Sequence, residues 1–194
     1  MTALAQTIAR PRQRNARLAV DFALVVGGSL FIALLAQVTI PLPFTPVPIT
    51  GQTLAVLVVG TAYGWRLAGL TVLLYLAQIA IGLPFAAEGR SGYEILTLAT
   101  ASGGYLWGFL LAGLTCGWLA NRGWDRDLRS SITVMLLGSI VIYGVGVPWL
   151  AASIDVPLLE AFELGLYPFV IGDLLKLLVA AGVLPLGWRL AGRR

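Results

Sequence analysis

Long apolar runs, separated by short polar or proline-rich stretches, form the main pattern of this chain. A helix needs about 20 apolar residues to cross the hydrocarbon core of a bilayer, and most of the runs approach that length. Alternation of apolar and polar residues at period two, which is typical of an outer-membrane barrel, is not evident. The pattern predicts an all-α integral membrane protein with six transmembrane helices, at residues 21–40, 53–64, 67–81, 99–120, 131–152 and 168–188.

Composition agrees with this interpretation. Charged residues make up 11% of the chain and hydrophobic residues 58%, whereas a soluble domain carries about 25% charged residues. We expect residues 1–194 to form one six-helix domain whose first 20 residues are a basic arm. Such an arm before an apolar run also opens a signal peptide, but this run is too long and no clear cleavage site follows it.

A proline-rich stretch at residues 41–52 precedes the shortest predicted helix. Its four prolines exclude a helix interior, yet it is mostly apolar and uncharged. The helix that follows has about 12 residues and rises about 18 Å, which is short of the ~30 Å hydrocarbon core. We therefore expect part of this loop to lie at membrane depth, folded back over or into the bundle. Irregular backbone is tolerated there only where it is buried in protein or lines a cavity.

The arginines are distributed unequally between the two ends of the predicted bundle. With the amino terminus in the cytoplasm, Arg90 alone falls on the outer side. The cytoplasmic side receives eleven: Arg10, Arg12, Arg14, Arg17, Arg66, Arg122, Arg126, Arg129, Arg189, Arg193 and Arg194. This positive-inside bias predicts that both termini are cytoplasmic. It also explains the net charge of +4 without a nucleic-acid partner.

Two opposite charges lie inside the last apolar run. Asp173 and Lys176, the only lysine of the chain, are three residues apart and so share one face of a helix. An ionised side chain in lipid costs about 2.5 to 3.5 kcal/mol on insertion scales, so such residues usually face a protein interior and serve a site. An internal ion pair that holds two helices together is the alternative. The predicted depth of the pair, below the outer loops, favours a pocket that opens outward and binds a small molecule with a carboxylate and NH donors.

Several kinds of chemistry lack the residues they need. The chain has no histidine and one cysteine, Cys116, which leaves no Ser-His-Asp or Cys-His pair and removes the commonest transition-metal ligand. No P-loop motif surrounds the single lysine. We expect no enzyme activity, no bound metal and no cofactor. Transport would then depend on an ion gradient or on another protein.

A stripe of small residues on the first predicted helix is a candidate docking face. Ala19, Ala23 and Gly27 recur at four-residue spacing, which allows close contact between helices. Packing inside the bundle explains this spacing equally well.

Four segments resemble the signature segments of the BioY family, the biotin-binding S subunits of energy-coupling-factor (ECF) transporters. They are Thr45-Pro46-Val47-Pro48-Ile49-Thr50-Gly51-Gln52-Thr53, Gly82-Leu83-Pro84, Ser102-Gly103-Gly104-Tyr105-Leu106 and the segment from Tyr167-Pro168-Phe169 to Gly172-Asp173-Leu174-Leu175-Lys176. The resemblance implies an S-component fold in a bacterial inner membrane. It also implies a transmembrane coupling subunit and two cytoplasmic ATPases as partners, so that ATP is used by the partners.

The same resemblance implies roles for particular residues. Asp173 resembles the contact to the ureido group of biotin, and Lys176 the contact to its valerate carboxylate. Ala19 and Ala23 match the small-residue pattern that meets the coupling subunit. The chain has Thr100-Ala101-Ser102 where the family usually has Gly-Pro-Thr. Further candidate substrate-binding residues are Tyr167, Gln52, Gln78, Arg90 and Tyr105.

Two other functions remain open at this stage. The first is an ion-gradient-driven carrier in which Asp173 is the proton site. The second is an S subunit for a different vitamin, which would share the fold and differ only in its ligand.

Overall fold

The computed structural model describes residues 3–8 and 13–190. Within these ranges the chain is almost entirely helical. The helices are α1 (Leu4–Ile8), α2 (Arg14–Ala36), α3 (Gln52–Ala80), α4 (Gly103–Asn121), α5 (Leu128–Ile154), α6 (Leu158–Gly165) and α7 (Val170–Leu190). By length and composition, five stretches could cross a membrane: α2, α3, α4, α5 and the run from Leu158 to Leu190.

The long stretch α3 contains two of the predicted spans, because the chain reverses direction within it. Gly64 has φ 75° and ψ 164°, which lies outside the helical region. The Gln52 side-chain amide donates a hydrogen bond to the Tyr75 hydroxyl, although 23 residues in a straight helix would separate them by about 35 Å. The arms 52–63 and 65–80 therefore lie side by side. They correspond to the predicted helices at 53–64 and 67–81.

Several predicted boundaries are wrong. The basic arm was expected to end at residue 20, but α2 begins at Arg14, and α1 adds a helical turn before it. Arginine is a good helix former, so a charged segment can extend an apolar helix beyond its hydrophobic part. The predictions for Arg10, Arg12, Arg193 and Arg194 concern positions outside the described residues. The acidic segment 153–167, which the sequence analysis placed outside its six predicted helices, contains the short amphipathic helix α6 (Leu158–Gly165).

The proline-rich segment folds into a small hairpin, which the sequence did not predict. The two-residue strands β1 (Thr39–Ile40) and β2 (Ile49–Thr50) pair in antiparallel fashion. At its tip the Thr45 hydroxyl donates to the Leu164 carbonyl oxygen at 2.8 Å, and Val47 is buried. The expectation that this loop folds back over the bundle is confirmed.

Helices α3, α4 and α5 form the centre of the bundle. Of the most apolar window of each helix, 61% is buried in α3 and 67% in α4, against 22% in α2 and 28% in the α6–α7 stretch. Glycines allow the central helices to approach closely: a Cβ on Gly60 would lie 3.1 Å from the Cα of Gly113, and one on Gly108 would lie 3.0 Å from the Cα of Ile142. Helices α2 and α7 thus lie at the periphery and keep broad apolar faces on the outside.

Candidate ligand-binding site

A cavity lies at the end of the bundle where the β1–β2 hairpin, the 83–102 connection and α6 meet. It holds about 610 Å³ of empty space, part of which is open to the exterior. The lining residues come from the hairpin, the connection, helices α3, α4, α5 and α7, and the 3₁₀ turn before α7. They are Val47, Pro48, Thr50, Gln52, Thr53, Ala86, Ala87, Arg90, Ile95, Ser102, Tyr105, Leu106, Phe109, Ile142, Tyr143, Phe169, Asp173 and Lys176.

The predicted charged pair forms one polar end of this cavity. Lys176 Nζ lies 2.8 Å from Asp173 Oδ1, and the two side chains are only 19% and 12% exposed. The Lys176 ammonium also donates to Thr53 Oγ1 at 3.3 Å, and the Tyr143 hydroxyl donates to Asp173 Oδ2. Residues of α3 and α5 therefore contact the pair and leave it little exposed.

Aromatic and aliphatic side chains form the walls next to this polar end. The Tyr105 and Tyr143 rings meet edge to face, with centroids 6.1 Å apart and planes at 88°. The Tyr105 hydroxyl donates to the Gly165 carbonyl oxygen at 2.7 Å, which joins α4 to the end of α6. With Phe109 and Phe169, these rings give a compact apolar surface suited to a small ring system.

A second cation, Arg90, lines the cavity from the 83–102 connection. Its guanidinium makes only long contacts: 3.4 Å to Ser102 Oγ, 3.4 Å to the Ala87 carbonyl oxygen and 3.8 Å to Glu88 Oε2. Its side chain is 37% exposed, so Arg90 lies toward the open part of the cavity. The site therefore contains two cations, Lys176 on a helix and Arg90 on a loop.

The other candidate residues differ in where the structure puts them. Gln52 lines the cavity and is nearly fully buried. Its bond to Tyr75, whose hydroxyl donates to the Phe85 carbonyl oxygen at 3.0 Å, holds the start of the 83–102 connection. Tyr105 lines the cavity as expected. Gln78 and Tyr167 do not line it.

The two misplaced candidates follow from helix geometry. Tyr167 is 59% exposed, in the 3₁₀ turn Tyr167–Phe169 before α7. In that turn Phe169 points inward instead. Gln78 lies on the second arm of α3, one turn beyond Tyr75, and its Oε1 is buried without a hydrogen-bond partner. A motif position and a polar residue within a span do not by themselves show which face meets the cavity.

The stripe of small residues on α2 lies on the outside of the bundle. Ala19, Ala23 and Gly27 are exposed, and a Cβ on Gly27 would find no atom within 4 Å. The packed face is the neighbouring one: Gly28 is buried, and a Cβ there would meet Thr71 and Tyr63. Packing inside the bundle, the alternative explanation of this spacing, is therefore wrong.

Sequence reasoning missed two residues that contact the charged pair, Thr53 and Tyr143. A signal existed for Tyr143, because it lies in the middle of the predicted span 131–152. Tyrosines that anchor a helix at the membrane interface lie near the ends of spans instead. Thr53 gave no signal of its own, since threonine is common at the start of a helix.

A bundle of apolar helices around a cavity, with an ion pair among its lining residues, defines a multi-pass membrane protein of the ligand-binding kind. The profile of the BioY family matches residues 6–193, and the chain belongs to this family. The sequence resemblance is thus confirmed, and the family is one of transporter components, not enzymes.

Relatives and a solved structure give the same result. The biotin transporter BioY of Rhodobacter capsulatus is 38% identical over 162 residues, covering 78% of this chain and 83% of that protein. The biotin transporter BioY of Rhizobium etli is 34% identical over 160 residues, covering 79% and 84%. A crystal structure of the S-component for biotin from an ECF-type ABC transporter superposes with a TM-score of 0.81 and 26% identity, over 95% of this chain and 96% of that one.

Proposed function

We propose that this protein captures biotin from outside the cell as the substrate-binding S subunit of an ATP-driven ECF transporter. The observation that carries the proposal is the Asp173–Lys176 ion pair inside an apolar cavity, in a chain whose relatives are biotin transporters. Biotin fits this chemistry. Its ureido NH groups need an acceptor, its carboxylate needs a cation and its thiophane ring needs apolar walls.

Asp173 is the residue we assign to the ureido group. A carboxylate has about four lone-pair sites, and in the structure Lys176 and Thr53 approach Oδ1 while Tyr143 approaches Oδ2. One lone pair on Oδ2 therefore remains for a ligand NH group. Such a charge-assisted bond in a buried site is worth about 1.5 to 3 kcal/mol.

Lys176 and Arg90 are the two candidates for the contact to the carboxylate of biotin. The family resemblance implies Lys176, yet its ammonium already pairs with Asp173 at 2.8 Å. Arg90 has only long contacts and offers a fork that suits a carboxylate. We therefore propose that Arg90 receives the valerate carboxylate and that Lys176 acts with Asp173 at the ureido end.

Biotin methyl ester separates these two assignments. The residue that binds the carboxylate should lose much affinity for biotin, but little for the ester, when it is changed to alanine. We expect Arg90→Ala to show this pattern and Lys176→Ala to weaken both ligands alike. The reverse pattern would show that Lys176, and not Arg90, contacts the carboxylate of biotin.

Titration calorimetry on purified protein tests ligand capture itself. We expect biotin to bind the wild type tightly, and Asp173→Asn or Lys176→Ala to bind at least tenfold more weakly. Tyr167→Phe is a matched control from the same motif, since Tyr167 does not line the cavity. A thermal-shift comparison of biotin, thiamine and riboflavin tests the alternative that the ligand is a different vitamin.

We further propose six membrane crossings with both termini in the cytoplasm of a bacterial inner-membrane protein. The two antiparallel arms of α3 and the arginine bias support this. The cavity would then open outward. Labelling with an impermeant maleimide tests the orientation: Glu94→Cys should react in intact cells, and Arg129→Cys only after permeabilisation.

The partners we propose are a transmembrane coupling subunit and two cytoplasmic ATPases, with the exposed stripe Ala19, Ala23 and Gly27 as the docking face. Small residues on an unpacked helix face support this role. Co-purification with ATPases separates the proposal from a gradient-driven carrier. The carrier would move substrate in vesicles without partners and with strong pH dependence.

A further inference from the structure

Helix α7 carries both charged residues of the site, and its own packing leaves its rotation weakly defined. Its buried residues are Leu177, Ala180, Ala181, Leu184, Pro185 and Trp188, and the helix is otherwise largely exposed. Apolar contacts are non-directional, and the short side chains of two adjacent alanines interdigitate little with a neighbouring helix. Directional polar contacts must therefore contribute to setting how α7 presents Asp173 and Lys176.

Such contacts lie at two places on α7 in the described part of the chain. The first is the ligand site itself. The second is near the opposite end of the helix, where Trp188 Nε1 donates to Asp125 Oδ2 at 2.6 Å. Asp125 belongs to the connection between α4 and α5. The distance along α7 from Asp173 to Trp188 is 15 residues, or about 22 Å.

This second contact is buried and maintained at a cost. Asp125 is fully buried, and Trp188 is 4% exposed. Asp125 Oδ1 has no hydrogen-bond partner, and a buried acceptor without a partner destabilises the fold. Burial also raises the pKa of Asp125, and the bond from Trp188 opposes that shift. The Arg126 guanidinium lies over the face of the Trp188 ring, with its Cζ 5.2 Å from the ring centroid.

From this geometry we infer that Asp125 and Trp188 are positioning residues for the ligand site: their hydrogen bond fixes the rotation and height of α7, and thereby the placement of Asp173 and Lys176. This inference rests on the proposed function, because it deepens the account of the same site. It concerns the far end of the bundle, because Asp125 and Trp188 do not line the cavity.

The variants that test it separate the hydrogen bond from packing. Trp188→Phe keeps a ring and removes the N–H donor, and Asp125→Leu removes the acceptor. Asp125→Asn keeps an acceptor for the Trp188 N–H, so it should retain the biotin affinity that Asp125→Leu loses. Trp118→Phe is the control, because it removes an indole at the same end of the bundle, on α4, where the ring is exposed and stacks on Arg122.

We expect Trp188→Phe and Asp125→Leu to weaken biotin binding about three- to tenfold, and the other two variants to stay within twofold of wild type. The loss should depend on α7. In an Asp173→Asn background Trp188→Phe should add little further loss, whereas in an Arg90→Ala background its loss should appear in full. Equal losses in both backgrounds, or a lowered melting temperature with wild-type affinity, would show a structural role only and overturn the inference.

Hydrogen–deuterium exchange gives a readout that needs no ligand. Trp188→Phe should increase exchange at residues 170–180, about two to five turns away, while Trp118→Phe should not. Unchanged exchange there would overturn the inference. If Asp173→Asn and Lys176→Ala leave biotin affinity intact, the proposed site is wrong, and exchange alone decides about the Asp125–Trp188 bond. If those two variants lose affinity and Trp188→Phe does not, only the positioning role fails.

Discussion

Replacing Asp173 by asparagine tests the binding site most directly, because the two side chains have nearly the same shape. The change removes the charge that Lys176 Nζ meets at 2.8 Å and weakens the acceptor of the Tyr143 hydroxyl. A charge-assisted bond to a ligand NH is worth about 1.5 to 3 kcal/mol. At 1.4 kcal/mol per factor of ten, we expect biotin affinity to fall roughly 10- to 150-fold.

Loss of affinity must be separated from loss of structure. Asp173→Asn leaves the Lys176 ammonium without its counter-charge, and breaking a buried pair in this way costs about 3 to 5 kcal/mol of stability. The exposure of the pair, 12% and 19%, reduces that figure. The double variant Asp173→Asn with Lys176→Gln removes both charges, so it should recover melting temperature without recovering affinity.

Titration calorimetry and thermal unfolding, made on the same preparations, measure both quantities. Asp21→Asn is the charge-matched control: Asp21 lies on α2 and does not line the cavity, so its loss should leave affinity within twofold of wild type. Wild-type affinity in the Asp173→Asn variant, or an equal loss in the control, would refute the assignment of this cavity as the biotin site.

Three further predictions concern docking, packing and pH. The double variant Ala19→Leu with Ala23→Leu should abolish co-purification with ATPase subunits. It should leave biotin affinity unchanged, since both residues are exposed and outside the cavity. Retained co-purification would exclude this docking face. Gly117→Ala should lower the free energy of unfolding by about 1 to 3 kcal/mol, because its Cβ would meet the backbone where α3 reverses direction. The control is Gly182→Ala, whose Cβ meets no atom within 4 Å and should not destabilise α7. Equal melting temperatures of the two variants would contradict this prediction. The Asp127 carboxylate caps α5, and hydrogen bonds from the first turn lower its pKa. Its stabilising contribution is therefore present above the ordinary aspartate pKa and is lost as pH falls through the lowered value; an acid melting profile of Asp127→Ala identical to wild type would exclude this.

Much of the architecture could be predicted because it depends on local sequence. The apolar runs give the helices, the four prolines exclude a helix at 41–52, and three-residue spacing puts Asp173 and Lys176 on one face of α7. The start of α2 was missed because charged residues are also good helix formers. Helix α6 was missed because an amphipathic segment of eight residues resembles an acidic loop.

The site was only partly predictable, because contacts between distant segments leave no local pattern. Thr53 and Tyr143 are 120 and 30 residues from Asp173 and reach it only through the packing of α3 and α5 against α7. Gln52 and Gln78 both looked plausible from the sequence. The fold turns Gln52 into the cavity and leaves Gln78 outside it.

The sequence by itself determined a membrane-embedded helical protein, the arginine asymmetry, the charged pair and the family. These features follow from hydrophobicity, charge and residue spacing, which act locally along the chain. Tertiary structure alone decided that α3 reverses at Gly64, that the small-residue stripe of α2 faces outward, and that Asp125 and Trp188 join α7 to the far end of the bundle. Each of these depends on which surfaces pack together, and close packing is set by the shapes of all the helices at once.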